Sequence, residues 1–319
     1  MSARPLRVAF FGSPAFALPS LDALAHRHDV VLVVTQPDKP AGRGLAHRAQ
    51  PVALRAHELG LPLEQPRAVR GEAFLTRLAS VQPDVGVTAA YGRILPPALL
   101  EIPRHGVLNV HASLLPMYRG AAPVQWALIN DEQETGITVM QTEAGLDTGP
   151  VRLQRRTAIE QGEDSVALMA RLAVLGAETL VEALDLLVAG TLPSTPQDDA
   201  AATLAPLLTS DDGRIRWADG PASVLARHRG VAAWPGSWFD HGGVRVKALD
   251  LEEAALPRGG QVAVKAAPGT VTEVGPDGVA VAAGSGSVLL KRVKPAGSRA
   301  MGAHEWSLGR GPKVGDRLG

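Results

Sequence analysis

The 319-residue chain contains no cysteine. Disulfides, thiolate nucleophiles and cysteine-ligated zinc or iron–sulfur centres are thereby excluded. No apolar run approaches the roughly 18 to 20 residues of a membrane-spanning helix. Met1-Ser-Ala-Arg-Pro5 leads into a strand-like run without the apolar segment of a signal peptide, so a soluble cytoplasmic protein is expected. Charge of either sign is not in excess: 32 Lys and Arg balance 32 Asp and Glu, which argues against a general nucleic-acid binder. Two motifs are also missing. Only Gly12 of a Gly-x-Gly-x-x-Gly turn is present, which disfavours a nicotinamide cofactor, and no Gly-x-Ser-x-Gly follows a strand, which removes the serine nucleophile elbow. His26, His28, His57 and His228 lack metal-ligand spacing and read as surface residues; no metal is expected.

The hydrophobic content of 45% is ample for buried cores, and the length suits two domains. The zero net charge hides an asymmetry. Up to Leu204 there are 17 Lys and Arg against 21 Asp and Glu, and beyond it 15 against 11, so the C-terminal part is the better home for a polyanion.

Leu6–Phe11, the Gly12-Ser-Pro14 turn and the helical periodicity of 15–27 predict strand, turn and helix, with Ser13 as a helix cap and Pro14 as first helical residue. Asp29–Thr35 and Asp84–Ala90 read as buried parallel strands separated by helices over 51–59 and 72–81. This alternation predicts a doubly wound, mostly parallel α/β sheet. The loop from Gln36 to Gln50 is too long and too rich in Gly, Pro and charge for a plain connection; Lys39, Arg43 and Arg48 fit phosphate or nucleic-acid contact, the alternative being a solvated loop. A long amphipathic helix over 164–188 closes a first domain spanning 1–190, and 191–206 has linker composition. In 207–319 a helix over 221–230 precedes short strands near 244–249, 269–274, 278–282 and 287–293, the pattern of a small barrel or meander. Trp217, Trp234, Trp238 and Trp306 are expected chiefly to pack its core.

The chemistry concentrates between Gly106 and Gly149. Asn109 and His111 stand two apart in an extended run, which places both side chains on one face. Ser113-Leu-Leu-Pro116 cannot continue the strand, so the pair lies at a strand's carboxyl end, where open α/β sheets bind ligands. Asp147 sits between Gly145 and Gly149, whose backbone a residue with a Cβ would resist. An amide and an imidazolium can donate to an oxygen that turns negative when a carbonyl is attacked, and a carboxylate can take the nucleophile's proton. The bland alternative is that all three merely fix turns.

Asn109-Val-His111-Ala-Ser-Leu-Leu-Pro116, Arg119-Gly-Ala-Ala-Pro123, Gly136-Ile-Thr-Val-Met-Gln141 and Gly145-Leu-Asp-Thr-Gly149 resemble the formyltransferases that use 10-formyltetrahydrofolate. The likeness runs end to end, from Phe11-Gly-Ser-Pro-Ala-Phe16 and Gln36–Gly44 to Ala233-Trp-Pro-Gly-Ser-Trp238 and Lys294-Pro-Ala-Gly297. Departures fall at Leu45-Ala-His-Arg48, where more lysine is usual, and at Ala282-Ala283, where a cysteine often occurs. The resemblance implies a catalytic trio of Asn109, His111 and Asp147, and tetrahydrofolate contact by Ser113, Leu114, Leu115 and Pro116. It also implies recognition of the acceptor end of initiator tRNA by Arg43 and a tRNA-holding C-terminal open barrel related to the OB fold. The reaction it implies is attack by the α-amino group of methionine, esterified to initiator tRNA, on the formyl carbon. Amino-sugar or nucleotide acceptors, hydrolysis to formate and a non-catalytic RNA-binding role are the competing readings, and a monomer is expected. Gly-Leu-Asp-Thr-Gly and the long C-terminal domain favour tRNA.

Overall fold

The computed structural model describes residues 4–41, 46–254 and 266–319. The chain divides into two compact units: Met1–Pro123, Glu134–Ile159 and Ala167–Pro206 form the first, and Val124–Gln133, Glu160–Val166 and Leu207–Gly319 the second.

The first unit is built on a seven-stranded sheet. Its strands are β1 (Arg7–Gly12), β2 (Asp29–Val34), β3 (Leu63–Glu64), β4 (Val85–Ala89), β5 (Val107–His111), β6 (Glu134–Gln141) and β7 (Val151–Ala158). They lie in the order β7-β6-β5-β4-β1-β2-β3. From β5 to β3 every pairing is parallel, and β6 and β7 add antiparallel strands at the other edge. The expected mostly parallel sheet is therefore present. β1, β2 and β4 are nearly unbroken apolar runs because a sheet covered on both faces has no wet side to make them alternate. Helices α1 (Leu18–Arg27), α2 (Pro51–Glu58), α3 (Glu72–Ser80) and α4 (Pro97–Leu100) connect these strands. On one face, Ala9 and Phe11 of β1, Leu32 and Val34 of β2 and Val107 of β5 share a core with Phe74 and Leu78 of α3 and Leu99 of α4. Complete burial of a side chain such as Phe11 contributes about 1.5–3 kcal/mol. Asn109 and His111, two and four residues after Val107, follow the same alternation and emerge where that face ends.

Ser13 does not cap a helix. A 3₁₀ turn over Ala15–Ala17 intervenes, with Pro14 as its cap residue, and the Ser13 hydroxyl instead accepts the amide of Gln36 at 3.0 Å, tying the first two strand ends together. In the Gln36–Gln50 region, Lys39–Ala41 pairs antiparallel with Ala46–Arg48. Helix α5 covers Pro123–Ile129, and α6 covers Ser165–Val188 as its periodicity predicts.

The stretch of linker composition, 191–206, is also structured. Thr195 bridges to Val151, and Leu204–Ala205 runs parallel to Arg119–Gly120. Prolines prevented it from reading as an element, yet an extended chain of this kind can lay hydrogen bonds along a neighbouring loop without forming a regular one.

The second unit holds an antiparallel sheet of β8 (Trp238–His241), β9 (Val244–Glu253), β10 (Val271–Gly275), β11 (Gly278–Ala283), β12 (Gly286–Pro295) and β13 (Met301–Gly302). Its order is β8-β9-β12-β11-β10, with β13 on β12. Among the described residues no ladder joins the edge strands β8 and β10, so the sheet is open, a form consistent with an OB-like domain. Helices α7 (Pro221–Gly230) and α8 (Ala303–Leu308) belong to this unit. Phe239 lies 5.9 Å from Trp217 and 6.0 Å from Trp306 between ring centroids, and all three are buried, as is Trp238, while Trp234 is 56% exposed. The tryptophans thus mostly build the core.

Two histidines expected at the surface are not there. His28 is half-buried with Nδ1 facing the Leu6 amide, and His228 is half-buried with Nδ1 2.9 Å from the Ser237 hydroxyl. Burial lowers both below the ordinary value of 6.5. Their positions at a helix terminus and on a helix did not distinguish an inward from an outward ring.

Candidate active site

Strand β5 ends at His111, buried to 6% exposure, and the chain then turns through Ser113–Pro116. The His111 ring is held from both sides. Nε2 lies 2.9 Å from the carbonyl oxygen of Tyr118, an obligate acceptor, so this nitrogen carries a proton and donates. Nδ1 is thereby the nitrogen left for chemistry, and the Asp147 Oδ2 stands 3.7 Å from it. That separation suits an ion pair but is too long for a hydrogen bond.

Asp147 reaches this place through an unusual backbone. Its φ is +54°, a left-handed conformation that Asp tolerates better than most residues but that still costs about 1–2 kcal/mol. Gly145 and Gly149, expected to supply the unusual dihedrals, do not have positive φ; Asp147 does. Gly149 is required for space, because a Cβ there would lie 1.9 Å from the Gln141 carbonyl oxygen. The Asp147 carboxylate is oriented by the Gly120 amide, which donates to Oδ2 at 2.8 Å. Gly120 itself has φ +125° and passes the Ala205 carbonyl so closely that a Cβ would come within 2.6 Å.

Asn109 is partly exposed, and its neighbour in the parallel register is Thr88 of β4. The buried Thr88 hydroxyl donates to Asn109 Oδ1 at 2.7 Å. With the amide oxygen engaged, the NH₂ group is the free end, a donor on the strand face that carries His111. Thr88 is a residue that sequence reasoning missed. A threonine inside an apolar strand is the only signal, and the parallel register needed to set it beside Asn109 is not written locally.

The Ser113–Pro116 loop is fixed from within. Thr138 of β6 donates to the Ser113 carbonyl at 2.6 Å and accepts the Leu115 amide at 3.1 Å, and Gln154 donates to the Leu115 carbonyl at 2.8 Å. Ser113, Leu114 and Leu115 are buried, the Ser113 hydroxyl donating to the Met117 carbonyl at 2.7 Å, and Pro116 is partly exposed. Arg43 lies outside the described residues. Lys39 and Arg48, which flank it, are partners in the short antiparallel pairing.

In the second unit one end of the exposed side of β9 and β12 is positively charged. Lys247 is paired in register with Lys294, both exposed, with Arg245 exposed nearby on β9; farther along, exposed Arg292 faces exposed Asp250, and Glu252 and Glu253 end β9 with negative charge. Like charges opposite each other repel unless an anion lies over them. The Arg245 guanidinium carbon sits 3.5 Å from the Trp238 ring centroid, which anchors that side chain.

An α/β sheet carrying Asn, His and Asp at one strand end, followed by an open antiparallel sheet, has a counterpart among known proteins. The family model described as "Formyl transferase" matches residues 6–184, and "Formyl transferase, C-terminal domain" matches 207–311. A methionyl-tRNA formyltransferase of Deinococcus radiodurans is 52% identical over 98% of this chain and 95% of its own. The one from Thermus thermophilus is 50% identical over 98% and 99%. The chain belongs to the formyl transferase family, in its group of methionyl-tRNA formyltransferases. The fold is shared more widely. The N-formyltransferase from Helicobacter canadensis, solved with folinic acid and dTDP-3-aminofucose, superposes with a TM-score of 0.68 at 14% identity over 89% of this chain and 98% of that one.

Proposed function

We propose that this chain transfers the formyl group of 10-formyltetrahydrofolate to the α-amino group of methionyl-initiator tRNA, with Asn109, His111 and Asp147 performing the chemistry. The observation that carries the reading is the buried His111 imidazole, fixed through Nε2 and presenting Nδ1 beside the Asp147 carboxylate at 3.7 Å. Relatives about half identical over nearly the full length support the choice of substrates.

The residues fit such a donor. Bound there, it supplies an electrophilic formyl carbon whose oxygen gains negative charge as the amine attacks. Asn109, with its amide oxygen held by Thr88, donates to that oxygen from Nδ2, and His111, acting as an imidazolium paired with Asp147, donates from Nδ1 while Nε2 keeps its proton on the Tyr118 carbonyl. Asp147 accepts the proton that the amine loses as the new nitrogen–carbon bond forms, and a proton returns to the departing folate nitrogen. The segment Ser113–Pro116 contacts the tetrahydrofolate, its buried members giving a rigid backbone and Pro116 the accessible surface. Arg43 contributes to the acceptor end of the tRNA.

The first unit thus carries catalysis, and residues 207–319 hold tRNA, supported by the exposed group of Arg245, Lys247 and Lys294. A cytoplasmic location accords with such a substrate, and among the described residues no helix is long and apolar enough to cross a membrane.

Incubation with formyl-labelled donor and charged initiator tRNA tests the reading. Label should enter the aminoacyl-tRNA, and none should enter uncharged tRNA. Release of the label as free formate at the same rate with and without tRNA would replace the transferase by a hydrolase.

A further inference from the structure

The loop bearing Asp147 is closed at its ends by the sheet, where the Gln141 amide donates to the Pro150 carbonyl and the Thr142 amide to that of Val107. Its middle is held by the extended stretch that follows α6. Gln197 in that stretch donates through Nε2 to the carbonyl oxygens of both Asp147, at 2.8 Å, and Gly149, at 2.7 Å. Its other amide atom, Oε1, accepts from Nε of Arg119 at 3.0 Å. Arg119 is 7% exposed, and its guanidinium also donates to Asp199 at 2.7 Å. The next residue, Gly120, gives its amide to the Asp147 carboxylate. A closed circuit results: Asp147 side chain to Gly120, Gly120 to Arg119 along the chain, Arg119 to Gln197, and Gln197 back to the Asp147 backbone.

We infer that Gln197, oriented by Arg119, is a positioning residue for formyl transfer: it clamps the left-handed turn at Asp147 and so sets the carboxylate beside His111. The inference rests on the catalytic reading of Asp147. Its chemistry is specific. Only a side chain that donates twice from one nitrogen while accepting on its other atom completes the circuit, which a neutral amide does and a carboxylate or alkyl group does not. A left-handed non-glycine residue persists only where its surroundings over-determine it, and two hydrogen bonds to carbonyls at and just past the turn do this. Gln197 meets Asp147 through the backbone carbonyl and not through the carboxylate, so its effect should appear in turnover rather than in substrate affinity.

A double-mutant cycle tests this in the full-length protein. Gln197→Glu keeps the shape and the acceptor toward Arg119 but sets a carboxylate against two carbonyl oxygens; Gln197→Met, which removes the donors without adding charge, serves if the first variant does not fold. Single-turnover formyl transfer should fall about tenfold or more with either variant, KM for both substrates changing less than about twofold. In an Asp147→Asn background the same substitution should cost less than about twofold, because the group it positions is already gone. An equal loss in both backgrounds, or a loss confined to KM, overturns the clamp alone. Normal turnover of Asp147→Asn by itself overturns the catalytic reading of Asp147, and the clamp with it.

Discussion

His111 has a single proton-bearing nitrogen committed to structure, because the Tyr118 carbonyl can only accept. Everything expected of it therefore falls on Nδ1, and everything expected of Asn109 falls on its NH₂ group, since Thr88 occupies the oxygen. His111→Ala and Asn109→Ala should each lower turnover by about 10² or more, in variants that still unfold cooperatively although each loses a buried hydrogen bond. Near-normal turnover in either would remove that side chain from the oxygen-stabilising role. Other residues act through titration rather than chemistry. Burial depresses the pKa of His28 and His228, so the unfolded chain takes up protons near 6.5 while the fold resists them. Their contribution to stability is complete above that value and declines as pH falls toward the lower folded values. Urea midpoints measured from pH 7.5 down to pH 5 should drop, and His228→Gln should flatten part of the drop.

At the scale of elements, the strands and long helices were legible because their signals are local. β5 is an extended run that places Asn109 and His111 on one face, α6 follows its predicted span, and the sequence fragment Gly145–Gly149 announces a tight loop. Less legible was why those glycines are there. The left-handed residue is Asp147, while Gly149 makes room for the Gln141 carbonyl, a contact between segments that spacing does not encode. Gly149→Ala should therefore destabilise the protein by about 1–3 kcal/mol in chemical denaturation, with activity lost alongside, whereas a substitution at Gly242, with open space around it but φ +57°, strains only its own backbone. The 191–206 stretch was opaque for a related reason. Its proline and aspartate content resembles a connector, and only the partner loop reveals Gln197 and Asp199 as hydrogen-bonding residues. Short elements such as β3, β8 and α8 also escaped, since two to six residues carry too little periodicity to register.

For the molecule as a whole, the balanced net charge conceals an uneven distribution of charge along the chain. In the second unit two adjacent strands set exposed Lys247 opposite exposed Lys294, an arrangement a polyanion would relieve. Lys247→Ala and Lys294→Ala should each weaken tRNA binding and reduce the slope of log affinity against log salt by roughly one phosphate contact's worth, with turnover at saturating tRNA unchanged. An unaltered salt slope in both variants would move the tRNA surface elsewhere. The central claim, however, concerns the first unit, where Asn109 and His111 of β5 are to meet one oxygen and Asp147 of the Gly145–Gly149 loop the attacking amine. A crystal structure with a non-reactive formyl-bearing tetrahydrofolate measures it most directly. The account predicts the formyl oxygen within about 3.2 Å of both Asn109 Nδ2 and His111 Nδ1, with Asp147 on the side open to the amine. A formyl oxygen that meets neither donor in the bound complex would contradict it.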